Sequence, residues 1–202
     1  MAQQHTPLPA PDRAGRAPLE TLLERRRSER DFADRPLELG ELAQLAWAGL
    51  GRSRAGSGRT VPSAGALYPL DLYVVAGEVR DLAPGVYRYD AAAHALEPRS
   101  PGDSRRELAD AALAQSWIAD APAVLVVAAV YARTTGKYGD RGVRYAHMEV
   151  GLVAQNVYLQ AEALGLGTTF VGAFDDDTVK DVLGLPDDVE PVAVLPVGTP
   201  AR

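Results

Sequence analysis

Apolar residues recur at helical spacing in several segments of the chain. Leu19, Leu22 and Leu23 predict a short helix that runs into a group of arginines. A second helix is predicted over "ELGELAQLAWAGL", and it should stop at Gly49 or Gly51. A third covers "SRRELADAALAQ", and "DDDTVKDVLGL" predicts a short helix capped by an aspartate. Residues 144–164 are apolar nearly all round, which predicts a long buried helix.

Other segments have the alternation or the dense β-branched and aromatic content of strands. They are "LDLYVVAG", "GVYRYD", "PAVLVVAAVY", "GTTFVGAF" and "EPVAVLPVG". The third is apolar on both faces, which predicts a central strand. With no repeat and no linker, the sequence predicts one α+β domain over residues 19–202, preceded by a flexible proline-rich arm over residues 1–18.

Composition narrows the possible functions. The 202 residues carry a formal net charge of −6 and no cysteine. An acidic chain is a poor match for nucleic acid or an anionic membrane surface, and thiolate or Cys-based metal chemistry is excluded. The three histidines have no recurring ligand spacing, so no metal site is expected. No apolar run reaches the length of a transmembrane helix or forms a signal peptide, which predicts a cytoplasmic protein.

The segment "RRRSERDF" (25–32) concentrates positive charge on this acidic chain. Such a run is usually a solvated surface. However, Arg26, Ser28 and Arg30 would share one face if the chain is extended there, and guanidinium groups suit phosphate and conjugated carbonyls. An anion site and a solvated helix end both remain open on the residues alone.

Three further segments have candidate chemistry. The loop at 51–69 ends in "PSAGALYP", whose small residues leave backbone N–H groups accessible to a ligand. The predicted strand over 167–174 ends in Val171, Gly172 and Ala173 with similarly bare backbone. Lys137 and Tyr138 lie side by side in a predicted glycine-flanked loop and could exchange protons with a substrate. Two other ionisable residues have simpler interpretations, Glu149 as a paired structural carboxylate and His147 as a packing residue.

The order of these segments resembles the nitroreductase superfamily and, within it, the SagB/ThcOx-type dehydrogenase branch. The resemblance depends on "RRRSERDF", "PSAGALYPLDLYVV", "PGVYRYD", "KYGDRGVRYAHMEVGLVAQN", "ALGLGTTFVGAFDD" and "VLPVG". It runs from about Leu19 to Gly198. It implies a nitroreductase-like α+β fold with a mixed or antiparallel sheet flanked by helices, in an intertwined homodimer.

The resemblance also implies FMN as cofactor, with NAD(P)H as one option for the electron donor. Residues around the flavin phosphate, ribityl chain and pyrimidine edge would be Arg26, Arg27, Ser28 and Arg30. The partner subunit would contribute Pro62, Ser63, Ala64 and Gly65. Along the isoalloxazine ring would lie Val171, Gly172 and Ala173, and Arg202 would take a C-terminal position on the phosphate.

Azoline oxidases of this branch use a Lys–Tyr pair as acid and base, and Lys137 and Tyr138 match it. The main hypothesis is an FMN-dependent oxidoreductase acting on a small-molecule or peptide substrate. The alternatives are an azoline-to-azole peptide oxidase, and a non-catalytic flavin-binding subunit of a peptide-modifying complex. A third alternative is a structural domain without flavin. In such a domain the clustered arginines would have no counter-charge.

Overall fold

The computed structural model describes residues 5–53 and 58–201. Its centre is a seven-stranded sheet in the order β1-β4-β3-β2-β5-β7-β6, and every strand pair in it is antiparallel. The strands are β1 (Thr6–Pro7), β2 (Leu70–Ala76), β3 (Gly85–Asp90), β4 (Ala95–Pro101), β5 (Ala123–Ala129), β6 (Gly167–Thr168) and β7 (Glu190–Gly198).

Strand β5 is the middle of the protein, as its all-apolar sequence predicts. All seven of its residues are buried, between β2 and β7. Because successive side chains point to opposite faces, Leu125 and Val127 join one hydrophobic cluster, and Val124 and Val126 join another. The sheet is therefore covered on both faces.

The described residues form seven α-helices: α1 (Leu19–Arg25), α2 (Leu39–Leu50), α3 (Arg105–Ala111), α4 (Trp117–Asp120), α5 (Ala132–Tyr138), α6 (Arg141–Ala163) and α7 (Asp176–Leu183). Helices α2 and α6 pack on one face, and α3 and α7 contribute to the cluster on the other. Together with the sheet they confirm the predicted α+β class.

Two helix ends follow directly from the sequence. Helix α2 ends with Gly51 as its C-cap, the later of the two glycines predicted to stop it. Helix α7 begins after Asp175, whose side chain accepts a 2.8 Å hydrogen bond from the backbone N of Thr178. This confirms the predicted aspartate cap.

The prediction that α6 is buried all round is wrong. One side of it packs in the core through Val150, Val153 and Val157, while Met148 and Leu152 are 60% and 44% exposed. Those two residues are four apart and so share one face of the helix. Because this second apolar stripe of α6 faces outward, the helix sequence is apolar on nearly every side although only one side is packed in the core.

Other boundaries also differ from the prediction. Strand β4 was not predicted, and α3 ends at Ala111, four residues before the predicted helix does. The strand predicted over 167–174 keeps only β6, and beyond it Val171 forms an isolated bridge to Val194. Lys137 and Tyr138 lie in the last turn of α5 and not in a loop, although Gly139 does cap that helix.

The segment predicted as a flexible arm contacts the rest of the domain from residue 5 onward. Thr6 and Pro7 pair with β4, Leu8 is buried, and the backbone N of Asp12 donates to Gln44 on α2. Within the residues described here, this segment lies along the body, and a domain boundary at residue 18 stays a prediction. None of the helices that can be described is long and apolar enough to cross a membrane.

Candidate functional site

The first group of site residues assembles at the end of α1. Tyr158, on α6, organises it: the Arg26 guanidinium lies 5.4 Å from the centre of its ring, and Ser28 Oγ lies 3.0 Å from its hydroxyl. The same hydroxyl accepts a 2.8 Å hydrogen bond from the backbone N of Phe170. Ser28 also bridges Thr168 in parallel. The extended segment after α1 is thereby fixed beside the start of the 170–174 segment.

Arg30 and the residues predicted to lie along a flavin ring adjoin this group. The Arg30 guanidinium lies 5.7 Å from the centre of the Trp117 ring, and Gln115, just before it, donates to the carbonyl of Ala173 at 3.2 Å. Gly172 and Ala173 are exposed. A Cβ added at Gly172 would meet one atom within 4 Å, on the Phe170 ring at 3.3 Å. The backbone here is accessible from outside.

The arginines of this group differ in their counter-charges. Arg27 pairs with Glu29 at 3.0 Å, whereas Arg26 and Arg30 have no carboxylate partner in the part of the chain that the structure describes. A cavity of about 350 Å³ opens beside Arg26, lined also by Tyr158, Thr168 and Pro200 and by two glutamates, Glu29 and Glu162. A guanidinium that faces a cavity and has no ion pair of its own is suited to an anionic ligand. Arg26 is half-buried and Arg30 exposed, so the cluster lies at the surface of the chain and not inside it.

The second group forms around Glu149, on α6. Its Oε1 accepts hydrogen bonds from Ser63 Oγ at 3.0 Å and from the backbone N of Ala64 at 2.9 Å. Ser63 Oγ in turn accepts from the backbone N of Tyr68 at 2.8 Å. The carboxylate of Glu149 therefore holds this turn through hydrogen-bond donors, and its purely structural role stays a prediction.

Burial also changes the chemistry of this carboxylate. Glu149 is only 6% exposed. Burial raises its pKa above the ordinary value, and the hydrogen bonds from Ala64 and Ser63 oppose that rise without cancelling it. The charged form is the one that costs energy in the folded protein.

Lys137 and Tyr138 belong to this second group. Gly65 has φ +62°, and a Cβ built on it would lie 2.7 Å from the Tyr138 hydroxyl and 3.0 Å from Lys137 Nζ. The turn that holds Ser63 and Ala64 therefore lies directly against the lysine and the tyrosine of the same chain. Lys137 Nζ is 5.3 Å from the centre of the Tyr138 ring.

The structure thus brings the predicted residues together in two groups and not in one. The arginine group is tied to Tyr158, and the group of Ser63, Gly65 and Lys137 is tied to Glu149, nine residues earlier on α6. At 1.5 Å per residue the two attachment points are about 14 Å apart along the helix. Pro62 is exposed at the start of the second group. Arg202 lies outside the described residues.

Sequence reasoning missed several polar contacts. Tyr158 and Trp117 lie among apolar helix residues, and nothing in their local pattern distinguishes them from core positions. His147 was predicted only to pack; its ring is exposed, and its Nε2 lies 2.6 Å from the Tyr131 hydroxyl. These pairs join residues 16 or more positions apart, so no local spacing reveals them.

Three groups that could ligate a metal also meet, at the outer edge of the sheet. One atom each from His5, Asp90 and Glu97 lies within 4.8 Å of the others. Glu97 already accepts a 3.2 Å hydrogen bond from Arg88. The guanidinium charge beside it opposes the binding of a cation there.

Comparison with known proteins agrees with this architecture. The model of the nitroreductase family matches residues 23–199 of this chain. A nitroreductase-family protein of Methanocaldococcus jannaschii is 48% identical over 180 residues, which is 89% of this chain and 90% of the relative. A nitroreductase structure from Ralstonia eutropha superposes with a TM-score of 0.86 at 30% identity, covering 100% of this chain and 92% of that one. A chain of the Escherichia coli microcin synthetase McbBCD complex, determined with truncated pro-MccB17 bound, gives a TM-score of 0.76 at 26% identity. That match covers 85% of this chain and 68% of the other.

Proposed function

Because this chain belongs to the nitroreductase family and is therefore an oxidoreductase, we propose that it depends on FMN. It takes hydride from NAD(P)H or from a substrate C–H bond and passes electrons to an acceptor. The observation that carries the proposal is the arginine group. Arg26 lies beside a cavity, and neither Arg26 nor Arg30 has a carboxylate partner among the described residues. Tyr158 holds Ser28 next to Arg26.

The donor set fits one phosphate and one polar ring. Arg26, Arg27, Ser28 and Arg30 are the donors for the phosphate, the ribityl chain and the pyrimidine edge, and Arg202 is proposed as a further phosphate contact. Gly172 and Ala173 are exposed, which leaves room for a flat ring beside them and the preceding Val171. When bound, FMN supplies a carrier that accepts two electrons and returns them singly or as a pair. Fixed guanidinium groups stabilise negative charge that develops on such a ring.

We further propose that the site is completed by a second copy of the chain. One chain holds its two groups about 14 Å apart along α6. A symmetric dimer would bring the Ser63–Gly65 turn of one copy to the arginine group of the other. Exposed apolar side chains on α1 and α6 favour such an association: Leu19, Leu23, Met148 and Leu152.

Lys137 and Tyr138 are the proposed acid and base. They lie against Gly65, so they would reach the cofactor together with the turn and from the same subunit. A lysine amine and a phenol can each hold or move a proton at a substrate heteroatom or carbon. Neither is needed to hold the phosphate, which separates their role from that of the arginines.

A second candidate function is oxidation of azolines to azoles in a peptide, as expected for the SagB/ThcOx branch. The likeness to a chain of the microcin synthetase complex favours it, and so does the Lys–Tyr pair. A non-catalytic flavin-binding subunit of a peptide-modifying complex is the remaining alternative. Turnover of NAD(P)H by the isolated protein would exclude the non-catalytic alternative, and oxidation of an azoline peptide would favour the second candidate. A cytoplasmic location stays a sequence-based prediction.

The cofactor itself is tested by releasing it. The purified protein, reconstituted with excess FMN, is denatured and the supernatant is analysed by chromatography. We expect FMN at about one per chain, because one phosphate clamp accompanies no adenine-binding motif. Arg26→Gln and Arg30→Gln together should lower retention, while Arg80→Gln, a surface arginine paired with Glu38, should not. FAD, or no flavin in the wild type, would refute the proposal.

A further inference from the structure

A second cavity rich in arginine lies apart from the arginine group, between residues 52, 58 and 59 and the face of β2 and β3. It has a volume of about 300 Å³. Three arginines line it, Arg52, Arg59 and Arg88, together with two tyrosines, Tyr68 and Tyr89, and two aspartates, Asp71 and Asp90. Nothing in the proposed flavin site uses these side chains.

Arg59 is the residue that needs explanation. It is half-buried, and it forms no hydrogen bond or ion pair with a carboxylate anywhere in residues 5–53 and 58–201. Its guanidinium lies 4.5 Å from the centre of the Tyr68 ring. Burial lowers its pKa, Asp71 partly offsets this, and the nearby charges of Arg133 and Arg52 lower it further. A half-buried guanidinium that has other arginines nearby and no carboxylate bonded to it carries an electrostatic cost, which an added anion would reduce.

The nearby carboxylates do not meet that need. Asp71 accepts two bonds from Arg133, at 3.0 and 3.1 Å, and one from Arg88 at 3.3 Å. Asp90 caps its own turn by accepting from the backbone N of Ala92 at 2.7 Å. Both carboxylates line the same cavity, but neither forms an ion pair or a hydrogen bond with Arg59 among the described residues.

We propose that this cavity is an anion site for the carboxylate or phosphate group of a small organic molecule. Arg59 and Arg52 would supply the charge, since a guanidinium offers two parallel donors to either group. The remaining wall combines the apolar side chains of Leu50, Leu70 and Leu72 with the two tyrosines and with two carboxylates, Asp71 and Asp90. A cavity of this size and lining is at the small end of those that hold organic ligands.

The cavity is connected to the turn that holds the proposed acid and base. The backbone of Tyr68 has φ +48°, an unusual value for a residue with a side chain, and its N–H donates a hydrogen bond to Ser63 Oγ. Gly65, which touches Lys137 and Tyr138, is three residues away, so at most about 11 Å of chain separates them. If the proposed redox function holds, this cavity anchors the charged end of the substrate; anion binding itself does not depend on that function.

The test measures binding and not turnover. Inorganic phosphate and benzoate are titrated into the FMN-loaded protein at constant ionic strength, and binding is followed by phosphorus-31 line width and by proton saturation transfer. We expect millimolar or tighter binding of at least one anion. Arg59→Gln should weaken it about tenfold or more, as loss of a charge-assisted hydrogen bond does.

A matched variant defines the site. Arg80→Gln makes the same charge change on the surface, where Arg80 pairs with Glu38, and should bind the probe as the wild type does. Binding of phosphate alone or of benzoate alone supports the proposal and identifies the chemical source. No binding of either anion, or unchanged binding in Arg59→Gln, overturns it. If Arg59→Gln does not fold, Arg52→Gln takes its place: weaker anion binding in that variant supports the proposal, and unchanged binding overturns it.

Discussion

The division of site residues between two ends of α6 makes a quantitative prediction about mixed dimers. In the first parent, Arg26 and Arg30 are both changed to Glu, which removes the phosphate donors. In the second parent, Lys137→Ala removes the proposed acid or base. Each homodimer alone should be nearly inactive towards a substrate that must lose a proton.

The structure sets the expected recovery. Lys137 is tied to the Gly65 turn of its own chain, and Arg26 is tied to Tyr158 at the other end of the helix. If one site takes its arginines from one chain and its lysine from the other, a mixed dimer has one intact site and one doubly altered site. Random pairing of equal amounts makes about half of the dimers mixed, so activity should return to about a quarter of the wild-type value.

The assay combines co-expression with two different affinity tags and sequential purification of the doubly tagged dimer. That isolated mixed dimer should have about half of the wild-type rate and about half of the wild-type FMN content. A control pairs Lys137→Ala with Tyr138→Phe, which alter the same group and should not complement. The shared-site reasoning would be refuted by a mixed dimer as inactive as its parents, or by a protein that binds FMN as a monomer.

Three further predictions concern the Glu149 group. Lys137→Ala or Tyr138→Phe should leave FMN content unchanged and should slow oxidation of a substrate that loses a proton about 10²–10⁴-fold. Flavin reduction by NAD(P)H, measured anaerobically, should slow far less. Equal losses with both electron donors would contradict the assignment. Because the pKa of Glu149 is raised in the fold, its contribution to stability is present below about pH 4.5 and is lost as pH rises through the folded pKa. The free energy of unfolding of Glu149→Gln relative to wild type, measured by urea titration, should therefore increase above pH 4.5 and stay flat below it. Gly65→Ala should cost about 1–2 kcal/mol because of its positive φ, whereas Gly136→Ala, where a Cβ meets nothing within 4 Å, should be neutral or stabilising.

The parts of the fold that follow from the sequence are those with strong periodicity. Strand β5 reads as central because its seven consecutive residues are all apolar, and α2 and α7 have clear caps. Strand β4 was missed because "ALEPRSP" contains two prolines and little alternation. Helix α5 was missed because Thr134, Thr135 and Gly136 are poor helix formers, and contact with α6 overrides that preference.

The candidate site, like the fold, could be predicted only in part from the sequence. The residue types at 63–65 indicate a bare turn without any knowledge of the fold, whereas those at 26–30 leave an anion site and a solvated helix end both open. The contacts that hold them do not appear in a local pattern, because Ser28 reaches Tyr158 across 130 residues and Ser63 reaches Glu149 across 86. Such pairs are set by how α6 lies along the sheet, and α6 itself was predicted to be buried on all sides.

The burial of β5 has a consequence for the timescales on which different parts of the protein open. Its amides lie between two strands and beneath helices on both faces, so they should exchange with solvent deuterium only when the whole domain unfolds. Helix α5 is two turns long, is exposed at Lys137, and can open locally at far smaller free energy. Hydrogen exchange should therefore show that the backbone amides of α5, which holds the proposed acid and base, open many times while the amides of β5 stay protected. The turn around Gly65 would adjust to a substrate while the strands behind it stay fixed.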